Sequence, residues 1–170
     1  LFAETPADTL VLADAIDDIV ALDPAEAYEF SGLDVVNNVY DGLIELDPTQ
    51  GGAMVPGLAE SWSVSDDGLT YTYTIRDGVK FHDGQPLTAK DVAFTYNLVM
   101  QHEDFPTLHS YTEHFAKVEA PDDKTVVITL DEAVPNMESK LVFLYILPEH
   151  IWKDHAEGDA ATSFENTEMI

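Results

Sequence analysis

The sequence contains no cysteine and few basic residues. Neither a disulfide nor a thiol nucleophile is therefore available to these 170 residues. Only 7 Lys and Arg stand against 33 Asp and Glu, which gives a formal net charge of −26 at pH 7. Duplex nucleic acid and anionic membranes repel such a chain, so we expect no nucleic-acid partner.

Long apolar runs are also missing. No stretch approaches the roughly 20 apolar residues that span a bilayer. No charged and then apolar leader is visible and the first residue is Leu1, so we expect a mature or trimmed form. A hydrophobic content of 45% nevertheless indicates a folded chain, large enough for one domain or two small lobes.

The acidic residues are spread along the chain rather than gathered in a tail, which is typical of a solvated acidic surface. High salt screens self-repulsion, with a Debye length of about 3 Å at 1 M. We therefore hypothesise adaptation to a halophilic or marine setting. The alternative is an acidic protein without such an adaptation.

The first quarter of the chain predicts little regular structure. Residues 9–13 (TLVLA) suit a buried strand, and 15–24 read as an irregular loop. Ser31 and Asp34 have the spacing of a helix capping box, followed by a turn at 47–52. The helical spacing of apolar residues continues from this start through Leu33, Val36, Val39, Tyr40 and Leu43.

The middle of the chain predicts strands and one strong helix. Residues 59–64 and 69–75 form two strands around a turn, and Asp77-Gly78 predicts a hairpin into 79–81. Thr88 and Asp91 predict a capped helix that runs to about Met100. Two further strands and two short helices follow, at 115–119, 125–130, 136–142 and 148–155. The pattern predicts an α+β fold with a mainly antiparallel sheet and flanking helices.

Several linked segments resemble the N-terminal signature of the extracytoplasmic solute-binding proteins that feed ABC-type peptide and nickel importers, family 5. Similar strand-pair and "ILPxH" segments fall at 118–130 and 146–150. The signature segments are 40–43 (YDGL), 56–62 (PGLAESW), 65–71 (SDDGLTY), 75–81 (IRDGVKF) and 83–92 (DGQPLTAKDV).

The resemblance implies part of lobe I of a two-lobed periplasmic-binding-protein-like fold, with its inserted subdomain. Residues 1–46 are then expected to start lobe I, 47–155 to form the inserted subdomain, and 156–170 to begin the return. Family members usually continue into a Gly-x-Gly-Pro-aromatic segment, which is absent before Ile170. We therefore expect this chain to be the first part of a longer protein.

The resemblance also implies a function. Such proteins capture an oligopeptide or similar small solute and deliver it to ABC permease subunits by cleft closure, with neither catalysis nor a cofactor. We expect a monomer in the periplasm or on the extracellular face of the membrane, where a longer form can carry a lipid anchor. A binding subunit that signals to a sensor would have the same sequence features.

In the resembled family, the loop at 19–32 lines the cleft between lobes. Tyr28 and Phe30 are then candidates for cleft walls, and Ser31 offers a hydroxyl or a helix-terminal N–H. The loop at 102–114 is a second candidate, with His109 and Tyr111 facing the cleft. Packing inside the protein is the alternative for Tyr28 and Phe30.

No hydrolase, zinc-protease or phosphate-loop motif is present. The remaining enzyme-like feature is irregularly spaced, which favours a polar surface loop over a metal site. It predicts, as the alternative function, a metal-dependent enzyme or metal-binding protein using His102, His109, His114, Glu103, Asp104 and Glu113. The pairs at 66–67 and 122–123 lie in apparent turns, and Arg76, the only arginine, is expected to tie a loop to carboxylates or carbonyls.

Overall fold

A computed structural model of the chain describes residues 6–11, 16–103, 105, 108–159, 163–164 and 166–167. The helices and strands alternate in groups along the chain, as expected for an α+β fold. In chain order they are α1 (Phe30–Val39), β1 (Ile44–Asp47), β2 (Ala53–Pro56), β3 (Ala59–Val64), β4 (Thr70–Ile75), α2 (Ala89–Gln101), α3 (His109–Thr112), β5 (Phe115–Glu119), β6 (Thr125–Leu130), α4 (Glu138–Leu141) and α5 (Glu149–Trp152).

The centre of the fold is an antiparallel sheet with the strand order β3-β4-β6-β5. Strands β4 and β6 both alternate half-buried and buried side chains, and their buried faces join α2 in the main hydrophobic core. Tyr73 and Val126 are opposite each other in this face and fully buried. The predicted mainly antiparallel sheet is confirmed, and the strand predicted at 69–75 begins one residue later.

Helix α2 begins as its local sequence predicts. Asp91 Oδ2 accepts a hydrogen bond from the Thr88 N–H at 2.8 Å, and Thr88 Oγ1 accepts one from the Lys90 N–H at 3.3 Å. The other oxygen of Asp91 accepts from the Glu149 N–H at 3.2 Å. The buried Asp91 carboxylate therefore caps α2 and also fixes the first turn of α5.

The structure confirms the turn roles of the acidic pairs and of Arg76. Asp67 Oδ1 accepts hydrogen bonds from the Ser65 hydroxyl and the Leu69 N–H. In the turn between β5 and β6, Asp122 Oδ1 accepts hydrogen bonds from the Lys124 and Thr125 N–H groups. The Arg76 guanidinium donates to the Pro56 carbonyl at 3.1 Å, which ties the end of β4 to β2.

The predicted strand at 79–81 is wrong. Gly78 does form a turn with a φ of 76°, but Lys80 makes only an isolated bridge with Pro86. The reason is that β4 already pairs with β3 on one edge and β6 on the other. A third strand has no free edge of β4 on which to pair.

The two-stranded sheet of β1 and β2 was not predicted from the sequence, although the turn predicted between these strands at 47–52 is present. Each strand has only four residues, too few for a clear alternation. A Cβ on Gly57 would lie 2.7 Å from the Gly42 carbonyl oxygen, so two glycines of the family signature meet by close backbone approach.

Strand β1 straddles the expected boundary at 46/47, and the division into 1–46, 47–155 and 156–170 stays a prediction.

Two predictions near the start of the chain are also wrong. Residues 9–11 form no strand, and Leu10 is 81% exposed; residues 12 and 13 lie outside the described residues. No strand in the described ranges pairs with this segment. Helix α1 begins at Phe30, so Ser31 lies inside its first turn and does not form a capping box with Asp34. It ends at Val39 rather than near Leu43 because Tyr40 is extended.

One buried hydroxyl provides a test of the core. Tyr96 is fully buried, and its hydroxyl has no hydrogen-bond partner within the described residues. Tyr96→Phe therefore removes a desolvated polar group without breaking a bond, and we expect the free energy of unfolding to rise by about 1 kcal/mol. Chemical denaturation measures the change.

The adjacent buried position supplies the control. The Thr95 hydroxyl donates to the Asp91 carbonyl at 2.8 Å and accepts from the Leu147 N–H at 2.9 Å. Thr95→Val leaves the latter donor unsatisfied, so we expect a loss of roughly 1–3 kcal/mol. A Tyr96→Phe protein destabilised as much as Thr95→Val would show that the Tyr96 hydroxyl is bonded in solution.

Candidate functional site

The segment that leads into α1 exposes two aromatic side chains. Tyr28 is 58% exposed and Phe30 is 90% exposed, so the structure does not bury them as the packing alternative requires. Val20 and Ile16, in the preceding loop, are also largely exposed. An apolar surface of this kind is typical of a region that a ligand or another part of a protein covers.

Glu29 holds this exposed segment in place, a role that the sequence analysis missed. Its Oε1 accepts hydrogen bonds from the Val20 N–H at 2.8 Å and the Ala21 N–H at 3.3 Å, and Oε2 accepts from the Tyr28 N–H at 3.1 Å. Burial favours the neutral carboxyl, but these backbone N–H groups outweigh it and keep the pKa of Glu29 below its ordinary value. The ionised carboxylate therefore fastens the loop to the start of α1.

Gly32 makes room for that carboxylate. A Cβ at this position would lie 2.4 Å from Glu29 Oε1 and 3.0 Å from the Ala21 carbonyl oxygen. Any larger residue must displace the Glu29 side chain or the loop. The sequence signal, a glycine three residues after a glutamate at a helix start, is too short to have predicted the contact.

Ser31 is engaged within the protein. Asp18 Oδ2 lies 3.5 Å from the Ser31 backbone nitrogen, and hydrogen bonding to Ser31 lowers the pKa of Asp18 below its ordinary value. Asp18 is thus placed at the positive end of α1, thirteen residues before the group it contacts. A ligand that uses the helix-terminal N–H of Ser31 must compete with this carboxylate.

The two candidates from the second loop lie on α3. The half-buried His109 places Nδ1 3.0 Å from the Val99 carbonyl oxygen of α2. Tyr111 stacks on Phe143, with ring centroids 5.9 Å apart and planes at 24°. His109 therefore packs toward α2, whereas Tyr111 joins an aromatic cluster on the side of Phe143.

A groove of about 580 Å³ adjoins that cluster, and we call it the aromatic groove. The Tyr145 hydroxyl donates to Asn37 Oδ1 across it, joining the last turn of α1 to the segment after α4. Burial, and then the neighbouring Tyr111, raise the pKa of Tyr145. Its lining includes Asn37, Asp41, Glu45, Leu46, Phe143 and Tyr145.

Helix α1 connects the two sets of candidate residues. Phe30 begins the helix and Asn37 lies seven residues later, a separation of roughly 10 Å along the axis at 1.5 Å per residue. Tyr28, Phe30 and Ser31 therefore share one end of α1, and Tyr111 reaches the other end through Phe143. A further groove of about 550 Å³ along α2 contains none of the predicted site residues.

The geometry does not assemble the metal site of the alternative function. His102 Nε2 lies 3.0 Å from the Ala156 carbonyl oxygen, and His109 is engaged as described above. His114 faces Asp131 and Glu132 at 3.5 and 3.4 Å. In the part of the chain that the structure describes, which excludes Asp104, no three potential ligands form a cluster that could hold a metal ion.

Within the described ranges, none of the helices is long and apolar enough to cross a bilayer.

An α+β unit with an exposed aromatic loop and an open groove fits part of a two-lobed periplasmic binding protein. The family described as "Bacterial extracellular solute-binding proteins, family 5 Middle" matches residues 53–170. The chain belongs to this family.

Individual relatives agree with that membership. A Brucella ovis protein whose name describes an ABC transporter peptide-binding protein is 41% identical over 112 residues, 66% of this chain and 20% of the relative. NikZ from Campylobacter jejuni, solved with Ni(L-His), matches with a TM-score of 0.71 and 29% identity over 81% of this chain and 27% of that one. Bacillus subtilis AppA, solved with a nonapeptide, gives 0.69 and 32% over 78% and 26%.

These structural relatives are two-lobed binding proteins. The chain spans about a fifth of the Brucella relative and about a quarter of the two solved chains.

Proposed function

We propose that this chain contributes to an extracytoplasmic protein that captures an oligopeptide or similar small solute and delivers it to an ABC permease. The observation that carries the proposal is the exposed Tyr28 and Phe30 pair, held by Glu29 on a family 5 scaffold. A fixed backbone that presents bare aromatic surface has little ordering entropy left to lose when a ligand covers it. The names of the peptide-binding relatives support the solute class.

In this proposal α1 forms one wall of the ligand cleft. Tyr28 and Phe30 contact the solute at the first turn of α1, with Ser31 as a polar contact. Tyr111 contributes at the other end of α1, through the aromatic groove. His109 holds α3 against α2. Ligand would stabilise the closed arrangement of two lobes, a population shift that requires no covalent chemistry.

The remaining features of the proposal follow from family membership. The protein would act as a monomer in the periplasm or on the extracellular face of the membrane, with a lipid anchor as one arrangement. Residues 1–46 and 156–170 would belong to lobe I proper, and 47–155 to its inserted subdomain. A pull-down that recovers a sensor kinase instead of permease subunits would favour the signalling alternative.

The test is Phe30→Ala in the protein of natural length. Covering a phenylalanine side chain contributes about 2 kcal/mol, so its removal should weaken solute binding roughly thirtyfold. The thermal midpoint should change little because the Phe30 ring is 90% exposed and contributes little to packing. Titration calorimetry with a peptide that the parent protein binds gives the ratio.

Val64→Ala is the matched control, because Val64 is an exposed apolar residue on the edge strand β3. It should leave affinity unchanged. Equal affinity of the parent and Phe30→Ala proteins would remove the start of α1 from the binding site.

A further inference from the structure

We propose that the aromatic groove binds a cationic side chain of the ligand, that of lysine or arginine. The inference rests on the proposed function and adds to it a preference for charge. Three independent features of the groove lead to it: its aromatic and apolar walls, its carboxylates, and the end of α1 that it meets.

The walls suit an apolar stem that ends in a cation. Phe143 is 44% exposed and Leu46 is 41% exposed, so both still have surface to cover. Stacking on Tyr111 holds the Phe143 ring in one orientation. Lysine and arginine bury a methylene stem along such surfaces, and an aromatic face attracts the charged end.

The polar rim of the groove is negative. Asp41 and Glu45 both line it and are exposed, and the ion pairs of the described residues use other carboxylates. No Lys, Arg or His is among the described residues that line it. A bound cation would be attracted by both carboxylates, whereas an anionic group would be repelled by both.

Nearby basic groups do not cancel the negative charge of the groove rim at Glu45. Lys80 and His82 line a separate cavity of about 50 Å³, which Tyr40 and Asp41 also line. Lys140 lies on α4, two residues before the groove residue Val142. Since Lys80 lines a cavity together with Asp41 and not with Glu45, Glu45 is the better position for an experiment.

The helix contributes in the same direction. Asn37 and Asn38, in the last turn of α1, line the groove, and that turn contains no basic residue. The carbonyl end of a helix has a partial negative charge that favours cations. A ligand cation in the groove would therefore meet α1 at its negative end, while Asp18 is at the positive one.

The experiment uses the protein of natural length and alanine tripeptides in which one position, in turn, is lysine, glutamine or glutamate. Calorimetry at constant low salt gives the dissociation constants. At the position that enters the groove, we expect lysine to bind at least tenfold more tightly than glutamate, with glutamine between them. Glu45→Gln should reduce that ratio at least threefold, and Phe143→Leu should weaken lysine peptides more than glutamine peptides.

Asp66→Asn is the charge-matched control. The first residue of β3, Ala59, donates to the carbonyl of Leu43, which lies between two groove residues. Asp66 lies in the exposed turn after the opposite end of that strand. Asp66→Asn should leave the lysine-to-glutamate ratio unchanged. If Asp66→Asn and Glu45→Gln reduced that ratio equally, the preference would come from net charge and the proposed groove site would be wrong.

Peptides that bind with no charge preference would overturn this inference and leave solute capture standing. Failure of every tripeptide to bind, while a longer peptide binds, would do so too; failure of both would overturn peptide capture itself.

Discussion

The thermal midpoint of the protein is expected to rise by roughly 10 °C between dilute buffer and molar sodium chloride. The cause is the net charge of −26, whose self-repulsion opposes the compact state. Molar salt shortens the Debye length to about 3 Å, which screens repulsion between carboxylates on the surface. A gain of about 3 kcal/mol corresponds to this shift, since each kcal/mol moves the midpoint of a chain of this size by roughly 2–4 °C.

Salt also weakens attractive pairs, so the sign of the result depends on which effect is larger. Lys90, Lys117 and Lys124 pair with Asp123, Glu119 and Asp77 at 2.6–2.7 Å. All six side chains are more than half exposed, and pairs of that kind contribute little to stability. The unpaired carboxylates are far more numerous, so screening of repulsion should dominate.

A variant of lower charge separates screening from other effects of salt. Asp66→Asn, Glu113→Gln and Glu157→Gln together remove three negative charges at exposed positions outside those pairs. The combined variant should melt higher than the parent in dilute buffer and gain less from salt. A midpoint that stays flat or falls with salt would contradict adaptation of the surface to high salt.

The second large effect concerns the 170-residue chain by itself. We expect its affinity for a peptide to be at least a thousandfold weaker than that of the natural-length protein. The solved relatives are two-lobed binding proteins, and this chain corresponds to about a quarter of their length, so most of a site shared by two lobes would be missing from it. Loss of even about 4 kcal/mol of contacts and closure produces that factor.

Titration calorimetry of both proteins with the same peptide provides the comparison. The control is circular dichroism of the short chain, which must show its folded sheet and helices before its affinity is interpreted. Comparable tight binding by the folded short chain would mean that a complete site lies within residues 1–170 and that the two-lobed cleft is the wrong description.

The elements that the sequence predicted well are those stabilised by near neighbours. Helix α2 starts directly after Thr88 because Asp91, three residues later, completes the capping box. The turns at Asp67 and Asp122 are closed by backbone groups two or three residues away. In each case the hydrogen bonds that define the feature lie within one short window of sequence.

At the start of α1 the local pattern predicted the wrong cap. Its Ser31 and Asp34 have the right spacing for a capping box, but Asp18 occupies the helix end from thirteen residues away. Similarly, Gly78 marks a real turn, but pairing of 79–81 was decided by β3 and β6, which already occupy both edges of β4. Competition from distant parts of the chain is not visible in a local pattern.

The candidate site was predictable only in part. Tyr28 and Phe30 were identified by resemblance to a family, and their exposure depends on the contacts of Glu29 with the loop before them. The aromatic groove depends on a hydrogen bond between Asn37 and Tyr145, 108 residues apart. No spacing rule predicts that contact, because it arises only when α1 and the segment after α4 pack together.

The most direct test of solute capture without catalysis is a titration of the natural-length protein with a mixture of short peptides, followed by mass spectrometry of the bound and free fractions. We expect saturable binding of one peptide per protein molecule, with every peptide recovered at its original mass. Peptides recovered cleaved or otherwise modified, or no saturable binding of any peptide, would contradict it.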